Sequence, residues 1–308
     1  MKIKLMTAYS GGPYRWGVDL AKGLEDRGIE IRQVTNRVAM LFNLMHQSGI
    51  DIVHSTVPLP FKVWRKPLVV TIKGDYTIEY NIYQKYYPRL IEQADIVTTP
   101  SEYMKGKIGM PDAVVIPNAI YPETCIPVQH RKRQDLNIAT VMNFFFKGKA
   151  DGLIKLAELM NRMDLPGFRY IVVGDGPYCK NAMDIAKSYG NQMKFSGFLQ
   201  EPRLVLGNSD IFLYYSYHDN FPNVILEAMA YGLPVITNQV GAVSEIIKNG
   251  YDGFVAQNDN EYMEILEILA RDVDLRKQIG GNARRSVEEH FNWADIIGRY
   301  VKIYERLN

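Results

Sequence analysis

The chain has 308 residues, 47% hydrophobic and 23% charged, with a formal net charge of +2; this is the profile of an ordinary globular protein long enough for two domains, and it excludes disordered and collagenous classes. Two cysteines, Cys125 and Cys179, and five histidines without metal-type spacing exclude a disulfide framework and indicate no zinc site. The small net charge conceals an asymmetry, because residues 1–133 hold 18 Lys and Arg against 12 Asp and Glu, whereas residues 134–308 hold 18 against 22.

From the N-terminus, strand-like runs KIKLMTAY, IEIRQV, DIVHST, LVVTIK, DIVTTP and AVVIP alternate with helical segments such as Trp16 to Arg27 and Tyr80 to Gln93. This alternation is the signature of a doubly wound parallel sheet. The first strand is followed by SGGP, where Gly11 and Gly12 let a backbone approach a phosphate, although a plain tight turn needs the same residues. FKVWRKP, from Phe61 to Pro67, mixes aromatics and cations; it suits an anionic membrane surface or acceptor, or is a solvated loop. The charges form no single stripe, so nucleic acid is not an expected partner. No apolar run reaches membrane-spanning length, and the chain opens with a strand in place of a signal core. The expected location is therefore cytoplasmic, with peripheral contact to the inner face of the membrane through the basic first half.

Residues 121–135, YPETCIPVQHRKRQD, are rich in proline and charge and lack periodicity, which places a boundary between domains 1–133 and 134–291. The second half repeats the alternation with LNIATVMNF, RYIVVGDG, QMKFSGF, DIFLYYS, PVITN and GFVAQ. Lys147 and Lys149 follow its first strand, where a lysine neutralises a leaving phosphate or is simply a solvated residue before a helix. VVGDGPYC, from Val172 to Cys179, is a dinucleotide fingerprint with one glycine lost and no acidic residue about twenty positions on, so a nicotinamide cofactor is not indicated. Asp272-Val273-Asp274 reads as a helix cap and not as a metal site.

The most informative stretch is DNFPNVILEAMAYGLPVITNQVGAVSEIIKNGYDGFV, from Asp219. Asp219 and Asn220 are good N-cap residues, and Pro222 suits a first helical turn. Val224, Ile225, Ala228 and Met229 follow at helical spacing. The exposed amides of such a helix start suit phosphate oxygens. Carboxylates beside them, Asp219 and Glu227, suit hydroxyl donors instead, and a ligand bearing both groups is a nucleotide sugar. Taken alone, a cap at Asp219 and a solvated Glu227 account for these residues equally well.

Two acids separated by seven residues, leading into EAMAYGLPV and then GAVSEII and NGYDGFV, resemble the retaining GT-B glycosyltransferases of glycosyltransferase family 4, the glycosyl transferases group 1. The resemblance extends more weakly over nearly the whole chain. It implies two Rossmann-like domains facing a central cleft, with the last helix, 292–308, returning to the first domain. It also implies that Glu227 holds a ribose, that Asp219 stands where a Glu usually contacts the donor hexose, and that Phe221, Asn223 and Val224 line the donor site. Asp reaches about 1.5 Å less far than Glu. Gly11 and Gly12 would meet the diphosphate, Gly174 and Gly176 match the family's GDGP, and Gly197, Phe198 and Leu199 would lie along the base.

Beyond Asp219, the sequence departs from the family in three further places. The expected Arg is replaced by Met142 or Asn143, and either Lys147 or Lys149 is the diphosphate lysine. Lys73 stands where a His is usual, either facing an acidic sugar or pointing to solvent, in which case Asp75 or backbone atoms serve the sugar. An earlier HxH is reduced to His54-Ser55-Thr56.

The implied function is a metal-independent, retaining hexosyltransferase that needs no cofactor. It would move a sugar from a UDP- or GDP-sugar to a hydroxyl of a saccharide or lipid-linked acceptor, with the departing diphosphate taking the acceptor's proton. Because the usual His and Arg are missing, the alternative is a non-catalytic nucleotide-sugar-binding subunit. Tyr76, Tyr80, Tyr83, Tyr86 and Tyr87 are candidates for stacking on an acceptor or for packing.

Overall fold

The computed structural model describes residues 1–9, 11–35, 48–58, 66–77, 84–127, 135–163, 165, 167–190, 193–199 and 202–308. Twelve parallel strands among them form two six-stranded sheets. The first has the order β2-β1-β3-β4-β5-β6. Its strands are β1 (Lys2–Met6), β2 (Glu30–Val34), β3 (Ile52–Ser55), β4 (Leu68–Thr71), β5 (Ile96–Thr99) and β6 (Val114–Val115). The second has the order β12-β11-β10-β7-β8-β9. It comprises β7 (Leu136–Val141), β8 (Phe168–Val173), β9 (Met193–Phe195), β10 (Ile211–Tyr214), β11 (Val235–Asn238) and β12 (Phe254–Ala256). All the strand runs read from the sequence are present. β3, β4 and β10 are buried at every residue, as expected of parallel strands covered on both faces. The helix read from Trp16 to Arg27 spans Gly11–Glu25. That read from Tyr80 to Gln93 is Tyr87–Glu92 after a 3-10 turn at Gln84–Tyr86, and residues 78–83 lie outside those described.

By contacts the chain forms two compact units, Met1–Ala119 with Trp293–Asn308, and Ile120–Asn292. Ile120 and residues 121–127, the start of the proline- and charge-rich stretch, group with the second unit. Ile120 N–H bonds Phe291 O at 3.0 Å, and the Arg284 guanidinium donates to Cys125 O at 3.0 Å. Residues 128–134 lie outside those described. The helix Trp293–Leu307 buries Trp293, Ile296, Ile297, Tyr300, Ile303 and Tyr304 in the first unit. Its apolar residues recur at helical spacing, which is why one face can pack.

Each sheet winds outward from an interior strand and then reverses. In the second unit the chain runs β7, β8, β9 to one side and β10, β11, β12 to the other, so the switch lies between β7 and β10. The crevice beyond the carboxyl ends of two such strands is where an open parallel sheet receives a ligand. In the first unit the switch lies between β1 and β3. Among the described residues no helix is long and apolar enough to cross a membrane.

Candidate functional site

On one side of the second unit's switch, the segment after β7 is anchored by Phe144. This residue is fully buried; its N–H bonds Asp175 O at 3.0 Å and its carbonyl accepts Tyr178 N–H at 3.1 Å. The helix Lys147–Asn161 then starts at an N-cap, Phe146, that offers no side-chain acceptor. Gly148 and Gly152 lie one helical turn apart on the face turned toward the segment after β10. A Cβ on Gly152 would fall 1.9 Å from Tyr215 O, and one on Gly148 2.8 Å from His218 Cβ. Glycine therefore permits a backbone-to-backbone approach, with Tyr217 N–H bonding Gly148 O at 3.0 Å. That approach brings the Lys149 ammonium to 2.7 Å from Asp219 Oδ2, with both side chains about nine-tenths buried. Lys147 points away, is 72% exposed and pairs with Asp151 one turn along. Of the two lysines that the sequence leaves open, Lys149 is the one at the switch.

On the other side, β10 ends at Tyr214, which is fully buried and whose hydroxyl donates to Asp219 Oδ2 at 2.5 Å. Burial and the adjacent Asp219 charge push its pKa well above the ordinary phenol value, so it stays a donor. Asp219 Oδ1 accepts its neighbour's amide, Asn220 N–H, at 2.8 Å. The N-cap of the helix Asn223–Ala230 is Pro222, with no side-chain cap bond. This corrects the capping role expected of Asp219 and Asn220 and the first-turn position expected of Pro222. The physical reason lies in the backbone. A Cβ on Gly241 would sit 2.5 Å from Asp219 O, and Ala242 N–H bonds Asn220 O at 2.9 Å, so residues 219–220 are held against the segment after β11. The Asn238 amide also clamps Ser216, accepting its N–H at 3.0 Å and donating to its carbonyl at 2.9 Å. Tyr214, Asn238, Gly148 and Gly152 shape this site without having been singled out from the sequence. Only the glycine spacing in KGKADG carries a legible signal.

Asn223, Val224 and Glu227 are half-buried along the Asn223–Ala230 helix. The Glu227 charge bears on Cys125 and Tyr231, helping to raise both of their pKa values, although burial is the main cause at each. Phe221 is buried and meets Phe291 edge-on at 6.4 Å. Gly174 has φ +149°, and a Cβ there would fall 1.8 Å from Met142 O; one on Gly176 would fall 2.5 Å from the carbonyl carbon of Phe144. Hence the segments after β7 and β8 require glycine where they cross. Gly174 N–H bonds Gly197 O at 2.9 Å, joining the segment after β9, where Phe198 is 75% exposed and Leu199 half-buried. Met142 is buried and Asn143 exposed; neither side chain carries a charge, so neither supplies the cation of the usual Arg. Cys125 and Cys179 are free. Asp272 caps the helix Val273–His290, accepting Asp274 N–H at 3.0 Å and Leu275 N–H at 2.9 Å.

In the first unit, Gly11 and Gly12 open the helix Gly11–Glu25 and have no atom within 4 Å of an added Cβ. Ser10, of the same motif, lies outside the described residues. Close packing falls instead on Gly17, whose added Cβ would stand 2.4 Å from Thr7 Cγ2. His54 is fully buried between the Tyr304 hydroxyl and Thr71 Oγ1, each at 2.7 Å. Burial and nearby Lys73 lower its pKa to about 3. Lys73 does not point to solvent: its amine donates to Asn118 Oδ1 at 2.6 Å and lies 3.9 Å from the centre of a Trp16 ring. Burial pushes its pKa well below the ordinary lysine value. Asp75 is buried, accepting Thr77 N–H at 2.9 Å and facing Lys107 at 3.3 Å. Tyr76 and Tyr87 stack at 4.9 Å, whereas Tyr80, Tyr83 and residues 61–65 of FKVWRKP lie outside the described residues.

The family model of the glycosyl transferases group 1 matches residues 124–286, more than half of the chain. The chain belongs to the glycosyl transferases group 1. This places it in a family of transferase enzymes. It is 32% identical over 152 residues to N-acetyl-alpha-D-glucosaminyl L-malate synthase of Bacillus anthracis, a match covering 48% of this chain and 39% of that protein. It is 24% identical over 285 residues to an uncharacterized glycosyltransferase of Methanocaldococcus jannaschii, covering 86% and 78%. The chain thus spans well under half of the first relative and over three quarters of the second. Among solved structures, HepE of Anabaena in complex with UDP and glucose has a TM-score of 0.80 at 18% identity, covering 100% of both chains. Sucrose-phosphate synthase from Thermosynechococcus elongatus has a TM-score of 0.83 at 18% identity, covering 100% of this chain and 99% of that one. These likenesses identify the fold of this glycosyl transferases group 1 member as GT-B.

Proposed function

We propose that this protein transfers a hexose or hexose derivative from a UDP- or GDP-sugar to a hydroxyl of a saccharide or lipid-linked acceptor. In this reading the anomeric configuration is retained and neither a metal nor a cofactor takes part. The observation that carries it is the enclosed Lys149 ammonium at the switch of the second sheet, in the unit where the Asn223–Ala230 helix begins without a side-chain cap. A fixed cation, aided by the positive end of a helix, stabilises charge that develops on a departing diphosphate, a contribution of about 3–4 kcal/mol where one such donor has been removed from other enzymes. The half-buried Glu227 on the same helix is suited to accept ribose hydroxyls. The glycine-joined segments at Gly174, Gly176 and Gly197, with exposed Phe198, offer a seat for the base. The HepE structure, which holds UDP and glucose, agrees in fold with this assignment. The departing diphosphate oxygen would then take the acceptor's proton on the face it leaves, so positioning and charge stabilisation are what the protein must supply.

The test is to incubate the purified chain with UDP- and GDP-sugars, first without acceptor or metal, and to follow thermal stabilisation together with release of the nucleoside diphosphate. Stabilisation by one donor, with release accelerated by saccharide or lipid-linked acceptors, is the expected result. Stabilisation without release across all acceptors would instead identify a non-catalytic binding subunit. No stabilisation by any nucleotide sugar would overturn both readings.

A further inference from the structure

The Asp219 carboxylate is engaged on both oxygens within the protein. Oδ1 accepts Asn220 N–H at 2.8 Å, while Oδ2 accepts the Tyr214 hydroxyl at 2.5 Å and the Lys149 ammonium at 2.7 Å. An ionised carboxylate has about four acceptor positions, so little capacity is left for sugar hydroxyls. Tyr214 is fully buried, and the Lys149 and Asp219 side chains are 11% and 10% exposed. The separation of the pair is also set by backbone contacts. Gly148 fixes the helix against residues 217–218, and Gly241 with Ala242 fixes residues 219–220 from the opposite side. Within that frame an aspartate side chain meets Lys149 at ion-pair distance, and a glutamate would have to fold its extra methylene back to keep that distance.

We propose that Asp219 is a positioning residue rather than a sugar contact: it holds the Lys149 ammonium in place for the donor diphosphate, and the Tyr214 hydroxyl holds Asp219. This rests on the reading of the site as a nucleotide-sugar site and deepens it. The Tyr214 hydroxyl fixes the same Asp219 oxygen that the Lys149 ammonium meets, so rotamer entropy of the lysine is lost on folding and not on binding. Glutamate is then the disruptive residue here, although it conserves the charge.

The experiment is isothermal titration of the full chain with UDP, GDP, UDP-glucose and GDP-mannose. The parent is compared with Asp219→Glu, Tyr214→Phe, Lys149→Gln and the double variant Asp219→Glu/Lys149→Gln, with ligand-free melting as the check on folding. Both charge-conserving variants, Asp219→Glu and Tyr214→Phe, are expected to weaken the bare nucleoside diphosphate about tenfold. In the Lys149→Gln background the further effect of Asp219→Glu should shrink to within about twofold, because a residue acting through another loses its effect with it. If Asp219→Glu changed only the sugar-nucleotide affinity and left the bare diphosphate unaltered, Asp219 would be a sugar contact and the proposal would be wrong. Tyr214→Phe retains the buried ring, so it decides the matter even if Asp219→Glu folds poorly. A parent chain that bound neither nucleoside diphosphate would remove the functional reading and this proposal together.

Discussion

At the scale of single residues, His54 shows how burial decides chemistry. Its ring is enclosed by Tyr304, Thr71, Trp16 and Tyr300, and its pKa is lowered to about 3 from 6.5. The folded protein therefore keeps this imidazole neutral, whereas the unfolded chain protonates it below about pH 6.5. Between those values the unfolded state binds the extra proton, so stability is intact above about pH 6.5 and is lost as pH falls toward 3, at up to about 1.4 kcal/mol per pH unit. Urea unfolding at pH 7, 5.5 and 4.5 should show this slope, and His54→Gln should flatten it. An equal slope in both proteins would assign the acid sensitivity to other groups. Lys73 presents the same lesson for a cation. The sequence left it between a ligand-facing and a solvent-facing position, yet its amine turns inward over Trp16 and onto Asn118.

At the scale of elements, the helix Lys147–Asn161 is positioned by what its glycines lack. A side chain at residue 152 would collide with the Tyr215 carbonyl, so Gly152→Ala must push the helix away from the segment after β10. Overpacking of this kind costs about 2–3 kcal/mol. The same shift would part Lys149 from Asp219, so the variant should lose nucleotide affinity beyond its loss of melting temperature. Gly28→Ala is the comparison: nothing lies within 4 Å of an added Cβ there, and only the positive φ of +77° is strained. It should destabilise by about 1 kcal/mol without touching the site. Equal effects of the two variants on nucleotide affinity would refute the packing argument.

At the scale of the whole molecule, the chain leaves its first unit at Ala119 and returns to it at Trp293. The returning helix, Trp293–Leu307, buries six large side chains there, and Tyr304 holds His54. Burial of six such side chains contributes on the order of 10 kcal/mol, comparable with the entire stability of a domain. Removal of residues 293–308 should therefore unfold the first unit and leave Ile120–Asn292 folded. Hydrogen exchange would show this as lost protection in peptides from 1–119 with protection kept in 136–290. Protection surviving in both would mean that the first sheet is stable without its last helix.

The local pattern of residues alone determined the alternation of strands and helices, because periodicity and burial of parallel strands are written in neighbouring positions. It also determined the family, through the run from Asp219 to Val255. That Lys149 and Asp219 are partners was decided only by the tertiary structure. Nothing in KGK distinguishes Lys147 from Lys149 until Gly148 and Gly152 seat their helix against Tyr215 to His218. Nothing in DNFPN reveals that Asp219 turns from the helix start toward Tyr214 and Lys149. Lys149 and Asp219 are distant in the chain, and even the bond from Tyr214 to its near neighbour Asp219 needs residues 219–220 held against the segment after β11. The geometry of both contacts depends on where backbones can touch, which only the folded chain specifies.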